Sequence, residues 1–236
     1  MHRRDRSHRP GEVVFHPIRR HAREPKMAKT RKARKAPLLD INLDELVDLL
    51  KIVDWDVLLV GDGSGNGWSK PCGWGVALID RMTSRRELFK GAWNFGTIGV
   101  AEVMPYFQAM LWYHETMANV LRDRLRIASR SRPIRVHIVT DCQQVAEQGR
   151  ALSQGLKSLR EVRQNRPLWH GLMQFEREGF QFDFHFLPRT TIALNILADA
   201  VANSGRVAIR DSEDEGDAHR MYICNGDVRA AARRID

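Results

Sequence analysis

The chain has 236 residues, of which 43% are hydrophobic and 28% are charged, so it can form a hydrophobic core and is not disordered throughout. No apolar run approaches the ~18 residues of a membrane-spanning helix, and no apolar segment follows the basic start as in a secretory signal peptide. The formal net charge of +9 is concentrated in the first 37 residues, so we expect a basic arm followed by a neutral domain.

Residues 1–37 form a dense basic segment, with 13 Lys or Arg against 3 Asp or Glu. This composition predicts a disordered arm that contacts the phosphate backbone of nucleic acids. A solvated extension without a function is the alternative. Met27 also offers a second possible start, in which case residues 1–26 would be missing from the protein in the cell.

The segment after the arm predicts a short helix and then a strand. Apolar residues at helical spacing indicate a helix at about 42–52, with Asn42 as its N-cap. The continuous apolar run Val57–Val60 indicates a buried strand that ends in the glycine-rich run 61–67.

The remaining elements alternate between strands and helices. Strands are expected at 73–79, 87–95, 134–140 and 180–186, and helices at about 101–126, 142–152, 165–178 and 193–205. This order predicts an α/β domain with a mixed sheet, in which antiparallel strands come first and crossover connections later. We expect the domain to span residues 56–207, after a helical lead-in at 38–55 and before an acidic linker and tail at 208–236.

The three cysteines lie far apart and form no C-x-x-C pair. This spacing argues against a disulfide framework and against a cysteine zinc site. It favours a reducing compartment, and we therefore expect a cytoplasmic protein.

Four acidic residues fall where predicted strands end or predicted helices begin: Asp62, Glu102, Asp141 and Asp199. Each acid also has a local explanation. Asp62 suits a turn, and Glu102 suits a helix start. Asp141 can cap the next helix, and Asp199 can be an exposed helix residue. Their contexts favour a common role. Asp62 and Asp141 each end an apolar strand, and Asp199 follows Asn195 by one helical turn.

Six segments around these acids resemble type 1 ribonuclease H, and they occur in the order that the family has them. They are Gly61–Ser64, Gly73–Gly75, Ala101–Glu102, Thr140–Gln143, Leu168–Trp169 and Asn195–Asp199. The resemblance covers about residues 56–205. It implies the ribonuclease H-like fold, in which a five-stranded mixed sheet of order 3-2-1-4-5 carries helices on both faces. It also implies that the four acids meet at the carboxyl end of the central strands.

The resemblance further implies a metal-dependent endonuclease that hydrolyses the RNA strand of RNA/DNA hybrids and leaves 5′-phosphate and 3′-hydroxyl ends. The four acids would hold two Mg²⁺ ions, which Mn²⁺ can replace, since hard divalent ions prefer carboxylate oxygens. In this assignment Asp62 bridges both ions. Glu102 and Asp141 complete one metal site, and Asp199 completes the other.

The same resemblance assigns substrate contacts to Gly63, Ser64, Gln143, Arg189 and Asn195. Gln143 matches a family position that contacts the RNA strand. The backbone of Gly63 and Ser64 is expected to approach a 2′-hydroxyl, the group that distinguishes RNA from DNA. Arg189 is similar to an arginine that some relatives carry in the loop before the last helix.

Departures from the family pattern keep other functions open. Ile98 and Gly99 stand where the family often has paired asparagines. The loop 188–194 before the last helix lacks the histidine that family members often carry there. Pro105 follows Glu102 closely, so we expect the helix to begin late or to kink there. One alternative is a catalytically silent ribonuclease H-like domain that binds nucleic acid or a partner. Another keeps the chemistry and changes the substrate to structured RNA or DNA.

Overall fold

The structure is a computed structural model that describes residues 43–65, 70–117, 120–121, 132–189, 193–210 and 219–223. The strands in these ranges are β1 Val57–Gly65, β2 Lys70–Asp80, β3 Arg85–Gly96, β4 Ile134–Thr140, β5 Phe180–Phe186 and β6 His219–Ile223. The α-helices are α1 Leu43–Leu49, α2 Ile98–Thr116, α3 Gln143–Ser153, α4 Arg166–Arg177 and α5 Ala193–Arg210. None of these helices has the length and apolar character that crossing a bilayer requires. The predicted arm 1–37, the predicted N-cap Asn42 and the acidic run 211–217 lie outside the described residues.

The strands form one mixed sheet of order β5-β4-β1-β2-β3-β6. The first three strands are an antiparallel meander, whereas β4 pairs with β1, and β5 with β4, in parallel. The predicted order 3-2-1-4-5 is therefore confirmed, and the fold is ribonuclease H-like. A sixth strand, β6, pairs antiparallel with β3 and comes from a segment that the sequence pattern assigned to the tail.

Helices cover the sheet on both faces because successive side chains of each strand point to opposite sides. In β1, Val57 and Leu59 join the core beneath α2, while Leu58 and Val60 join a second core beneath α5. Trp74 is among the largest fully buried side chains of the first core. Strand β1 is thus buried on both faces, which explains the continuous apolar run Val57–Val60.

Two glycines of β2 allow α5 to approach the sheet closely. A Cβ atom on Gly75 would lie 2.6 Å from the carbonyl oxygen of Ala198, and one on Gly73 would overlap the carbonyl oxygen of Ala202. Any larger residue would push the helix outward. The Gly73–Gly75 segment therefore sets the height of α5, and with it the height of Asp199, above the sheet.

Two predicted boundaries next to the acids were wrong. The strand expected to end at Val60 continues to Gly65, because each residue from Gly61 to Gly65 has a pairing partner in β2. The helix expected at about 101–126, with a late start or a kink at Pro105, begins at Ile98 with Thr97 as its N-cap, so its start is not late, and it contains Pro105 in its interior. Asp62 thus lies within a strand, and Glu102 lies in the second turn of α2.

Candidate metal centre

The candidate metal centre lies where β1 and β4 approach their carboxyl ends side by side. Gly61 pairs with Thr140 in the parallel register, so the residues that follow them, Asp62 within β1 and Asp141 just after β4, meet at the same edge. Glu102 reaches this edge from α2. One carboxylate oxygen from each of the three residues lies within 4.8 Å of the others. The structure therefore brings together three of the four predicted acids as one cluster, which we call the acidic cluster.

Close packing of α2 on β1 places Glu102 in the acidic cluster. A Cβ atom on Gly63 would lie 2.6 Å from the carbonyl carbon of Ala101 and 2.7 Å from the amide nitrogen of Glu102. Glycine at position 63 is thus required for the helix to approach the strand so closely. The glycine that follows Asp62 has this packing role, whatever contact its backbone makes with a substrate.

Tyr106 connects α2 to both central strands. Its hydroxyl oxygen lies 2.8 Å from the carbonyl oxygen of Gly61 and 3.1 Å from that of Val139, and it shares its one hydrogen between them. Burial raises the pKa of this tyrosine well above its ordinary range, so the hydroxyl keeps its proton. The side chain is fully buried. Tyr106 therefore holds together the strand ends that carry Asp62 and Asp141.

The acidic cluster is an unfavourable place for negative charge in the absence of a cation. Asp62 and Glu102 are only 2% and 7% exposed. Burial, reinforced by the neighbouring Asp141, raises the pKa of Asp62 to about 8. Burial and the Asp62 carboxylate raise the pKa of Glu102, also to about 8. Each carboxyl group therefore lacks sufficient compensation for its charge from the protein alone.

Two buried oxygens of the acidic cluster fit a hard divalent cation. Asp62 Oδ2 and Glu102 Oε2 are buried and have no hydrogen-bond partner among the residues that the structure describes. Unpaired buried carboxylate oxygens are costly unless a proton or a metal ion neutralises them. Oxygen donors of this kind suit Mg²⁺ or Mn²⁺ rather than a soft metal.

Asp199 lies at the rim of the acidic cluster, in α5. Its side chain is 29% exposed, and its Oδ1 accepts a hydrogen bond of 3.1 Å from Asn203 Nδ2, one helical turn away. The hydroxyl of Ser64 donates to Asn203 Oδ1 at 2.7 Å, and Arg206 Nε donates to that hydroxyl at 3.0 Å. This chain of contacts fixes Asp199 relative to the end of β1.

Arg189 follows β5 and bridges three of the four acids. Its Nε lies 2.7 Å from Asp141 Oδ2, its Nη2 lies 3.4 Å from Asp62 Oδ1, and its Nη1 lies 3.4 Å from Asp199 Oδ1. Asp199 thus joins the acidic cluster through this guanidinium group. The sequence resemblance placed Arg189 among the substrate contacts, and the structure places it against the carboxylates.

The other predicted substrate contacts lie around the acidic cluster. Gln143 is exposed at the start of α3, where its amide donates to Glu147. Asn195 is 5% exposed, and its amide nitrogen donates to the carbonyl of Leu187 at 3.1 Å, so it holds the loop that carries Arg189. Ser64 is buried within the network that fixes Asp199. Substrate contact by these residues stays a prediction.

Sequence reasoning missed three residues that position the acids: Tyr106, Asn203 and Arg206. A spacing signal was present for two of them. Tyr106 and Asn203 each follow a predicted acid by four residues, so each shares a helix face with that acid. No signal pointed to Arg206, because its partner Ser64 is distant in sequence.

The comparisons with known proteins found similar solved structures. No protein-family model matches the chain, and no curated protein matches it. The N-terminal ribonuclease H domain of a Mycobacterium tuberculosis protein is 20% identical, with a TM-score of 0.47, and the match covers 68% of this chain and 100% of that chain. LC11-ribonuclease H1 from compost, in complex with an RNA/DNA hybrid, is 18% identical with a TM-score of 0.45, covering 66% and 99%. Ribonuclease H1 from Halobacterium salinarum is 19% identical with a TM-score of 0.43, covering 66% and 98%.

Proposed function

We propose that this chain is a divalent-metal-dependent endonuclease that hydrolyses the RNA strand of RNA/DNA hybrids and leaves 5′-phosphate and 3′-hydroxyl ends. The observation that carries the proposal is the acidic cluster, in which Asp62, Glu102 and Asp141 converge within 4.8 Å at the end of two parallel strands. Three carboxylates so close together repel one another in a poorly hydrated site, so the cluster is costly unless a cation neutralises it.

Asp62, Glu102 and Asp141 would hold one or both metal ions, and Asp199 would complete the second metal site. When bound, two Mg²⁺ or Mn²⁺ ions supply an activated water and stabilise the charge on the leaving oxygen. The unpaired oxygens Asp62 Oδ2 and Glu102 Oε2 support this assignment.

The chain's own residues have supporting tasks in this proposal. Tyr106 and Gly63 fix the distance between α2 and β1, and Asn203 orients the Asp199 carboxylate. Gln143, exposed two residues after Asp141, is accessible to the RNA strand. The preference for RNA rests on the resemblance at Gly61–Ser64, which implies that the backbone of Gly63 and Ser64 approaches a 2′-hydroxyl.

A second candidate is the catalytically silent domain that binds nucleic acid or a partner. The ion pairs of Arg189 favour it, because a guanidinium group already offsets negative charge in the acidic cluster. The absence of paired asparagines at Ile98 and Gly99 also favours it. The two candidates differ in one observable, which is cleavage.

The experiment compares end-labelled RNA/DNA hybrid, duplex RNA and duplex DNA as substrates in Mg²⁺, in Mn²⁺ and in excess chelator. The proposal predicts metal-dependent cleavage of the RNA strand of the hybrid, with product RNA that a polymerase can extend from its 3′ end. Cleavage of duplex RNA or DNA in place of the hybrid would keep the chemistry and replace the substrate. Binding of the hybrid with no cleavage in either metal would establish the silent domain instead.

A further inference from the structure

Arg189 offers three nitrogen atoms to three different carboxylates. The contacts to Asp141, Asp62 and Asp199 measure 2.7, 3.4 and 3.4 Å, and they use Nε, Nη2 and Nη1 respectively. The guanidinium group therefore lies between the acids that the proposed function assigns to metal. The guanidinium group is planar, its positive charge is delocalised, and its N–H donors match the geometry of carboxylate groups.

A divalent ion needs the same position. Mg²⁺ binds oxygen at about 2.0–2.1 Å, so its ligands must converge on one point. A guanidinium group among those ligands blocks convergence and repels the ion, since two cations at contact distance in a poorly hydrated site oppose each other. Asp62 would hold metal in the proposed function, and its Oδ1 lies 3.4 Å from Arg189 Nη2.

We infer that Arg189 is an internal cation of the acidic cluster, and that divalent metal and Arg189 bind the same carboxylates in mutually exclusive states. This inference rests on the proposed metal site. In the metal-free state Arg189 offsets the charge of Asp62, Asp141 and Asp199. Metal binding displaces the side chain and leaves its positive charge at the mouth of the site, where the oxygens of a substrate phosphate can accept hydrogen bonds from two of its nitrogens.

The surroundings of Arg189 suit a side chain that changes position on a fixed backbone. Its side chain is 51% exposed, in contrast to the buried acids that it contacts. The two residues before it are held, because Asn195 Nδ2 lies 3.1 Å from the carbonyl oxygen of Leu187 and 3.5 Å from that of Pro188. Displacement therefore needs rotation of one long side chain, without rearrangement of Leu187 or Pro188.

The test is isothermal titration calorimetry of the full chain with Mg²⁺ and then Mn²⁺, in the absence of nucleic acid. Arg189→Ala removes the competing cation, so it should bind metal about tenfold more tightly than the wild type, a coupling of ordinary size. Its metal-free melting temperature should fall, and the rise that saturating metal produces should grow. Arg177→Ala is the matched control, because Arg177 is an exposed arginine at the end of α4, before β5 begins. It should bind metal as the wild type does.

A second measurement on the wild type keeps the inference testable if Arg189→Ala folds poorly. The Nε–H resonance of Arg189, assigned by its loss in Arg189→Lys, should move to the position of a solvent-exposed arginine as Mg²⁺ is added. Equal or weaker metal binding by a folded Arg189→Ala, or a resonance that does not respond to bound metal, would overturn the inference and leave the proposed function standing. Absence of metal binding by both the wild type and Arg189→Ala would overturn the inference and the proposed metal site together.

Discussion

The hydroxyl oxygen of Tyr106 lies 2.8 Å from the carbonyl oxygen of Gly61, the residue immediately before Asp62. The same oxygen lies 3.1 Å from the carbonyl oxygen of Val139, two residues before Asp141. One buried hydroxyl on α2 thus ties together the two strand ends that carry the acidic cluster. The arrangement makes the geometry of the cluster depend on a residue that is not among the predicted metal ligands.

Tyr106→Phe should lower both stability and metal affinity. The substitution keeps the ring and leaves two buried carbonyls without this donor, which costs about 1–3 kcal/mol of the free energy of unfolding. Urea denaturation and calorimetry with Mg²⁺ measure the two effects. Tyr113→Phe is the matched control, since Tyr113 is a fully buried residue of the same helix whose hydroxyl bonds to Asp80. It should lose stability while its metal affinity stays the same, and equal metal affinity in both variants would contradict this role of Tyr106.

Gly63→Ala should displace α2 and weaken metal binding. The added methyl group would meet backbone atoms of Ala101 and Glu102 at 2.6–2.7 Å, and backbone cannot move aside as a side-chain tip can. Overpacking of this kind costs about 1–3 kcal/mol. Gly65→Ala is the control, because its methyl group would meet its nearest neighbour at an ordinary 3.5 Å. If the two variants melt and bind metal alike, close approach at Gly63 does not set the position of Glu102.

The stability of the metal-free protein should fall as pH rises, through the charges of Asp62 and Glu102. The pKa of Asp62 is raised by burial from 3.8 to about 8, and burial also raises that of Glu102 from 4.5 to about 8. Between the ordinary pKa values of the two groups and their raised values of about 8, the folded state binds more protons than the unfolded state. The free energy of unfolding therefore decreases as pH rises through this range. The loss is complete above about pH 8.

The comparison that isolates this effect is wild type against Asp62→Asn, measured by urea denaturation in chelator at pH 5 and pH 8. His137 and His185 contribute an opposite slope at acidic pH, because burial lowers the pKa of both rings. Both proteins contain these histidines, so the difference between their free energies of unfolding excludes the histidine contribution. In chelator, Asp62→Asn should gain stability relative to the wild type as pH rises. The gain should be smaller when saturating Mg²⁺ replaces the chelator. A constant difference between the two proteins would show that Asp62 carries no such penalty.

Removal of the basic arm should flatten the salt dependence of nucleic-acid binding. Residues 1–37 lie outside the described residues, and their composition alone supports this expectation. If four or five of their basic residues touch phosphates, deletion should reduce the slope of log K against log salt by about 3–4 units. Cleavage at saturating hybrid should hardly change, because no proposed metal ligand lies in the arm. Identical slopes for the full chain and for residues 38–236 would show that the arm takes no part in binding.

Strand and helix periodicity allowed most elements to be predicted, because it is a short-range signal. The sheet order and the meeting of the acids were predicted from the resemblance of local motifs to type 1 ribonuclease H. The sequence did not show that Asp62 lies inside β1, since the continuation to Gly65 depends on pairing with β2. A glycine-rich run looks like a loop until a partner strand supplies its hydrogen bonds.

Long-range contacts account for the other differences. The guanidinium group of Arg189 reaches Asp62 across more than a hundred residues of sequence, and no local pattern encodes that contact. The segment containing β6 is too short to stand out as a strand, and its pairing with β3 is again a tertiary effect. Side-chain networks around a site are therefore less predictable than the elements that carry it.

The most direct test of the central claim, that the acidic cluster is a catalytic metal centre, is the rate of hybrid cleavage by Asp141→Asn at saturating hybrid and Mg²⁺. The substitution removes charge and a metal ligand with little change in packing, so the rate should fall by about 100-fold or more while the melting temperature and hybrid binding persist. Glu102→Gln should behave in the same way. Asp183→Asn, a half-exposed acid on β5, should cleave as the wild type does. Cleavage by Asp141→Asn at the wild-type rate would contradict the account.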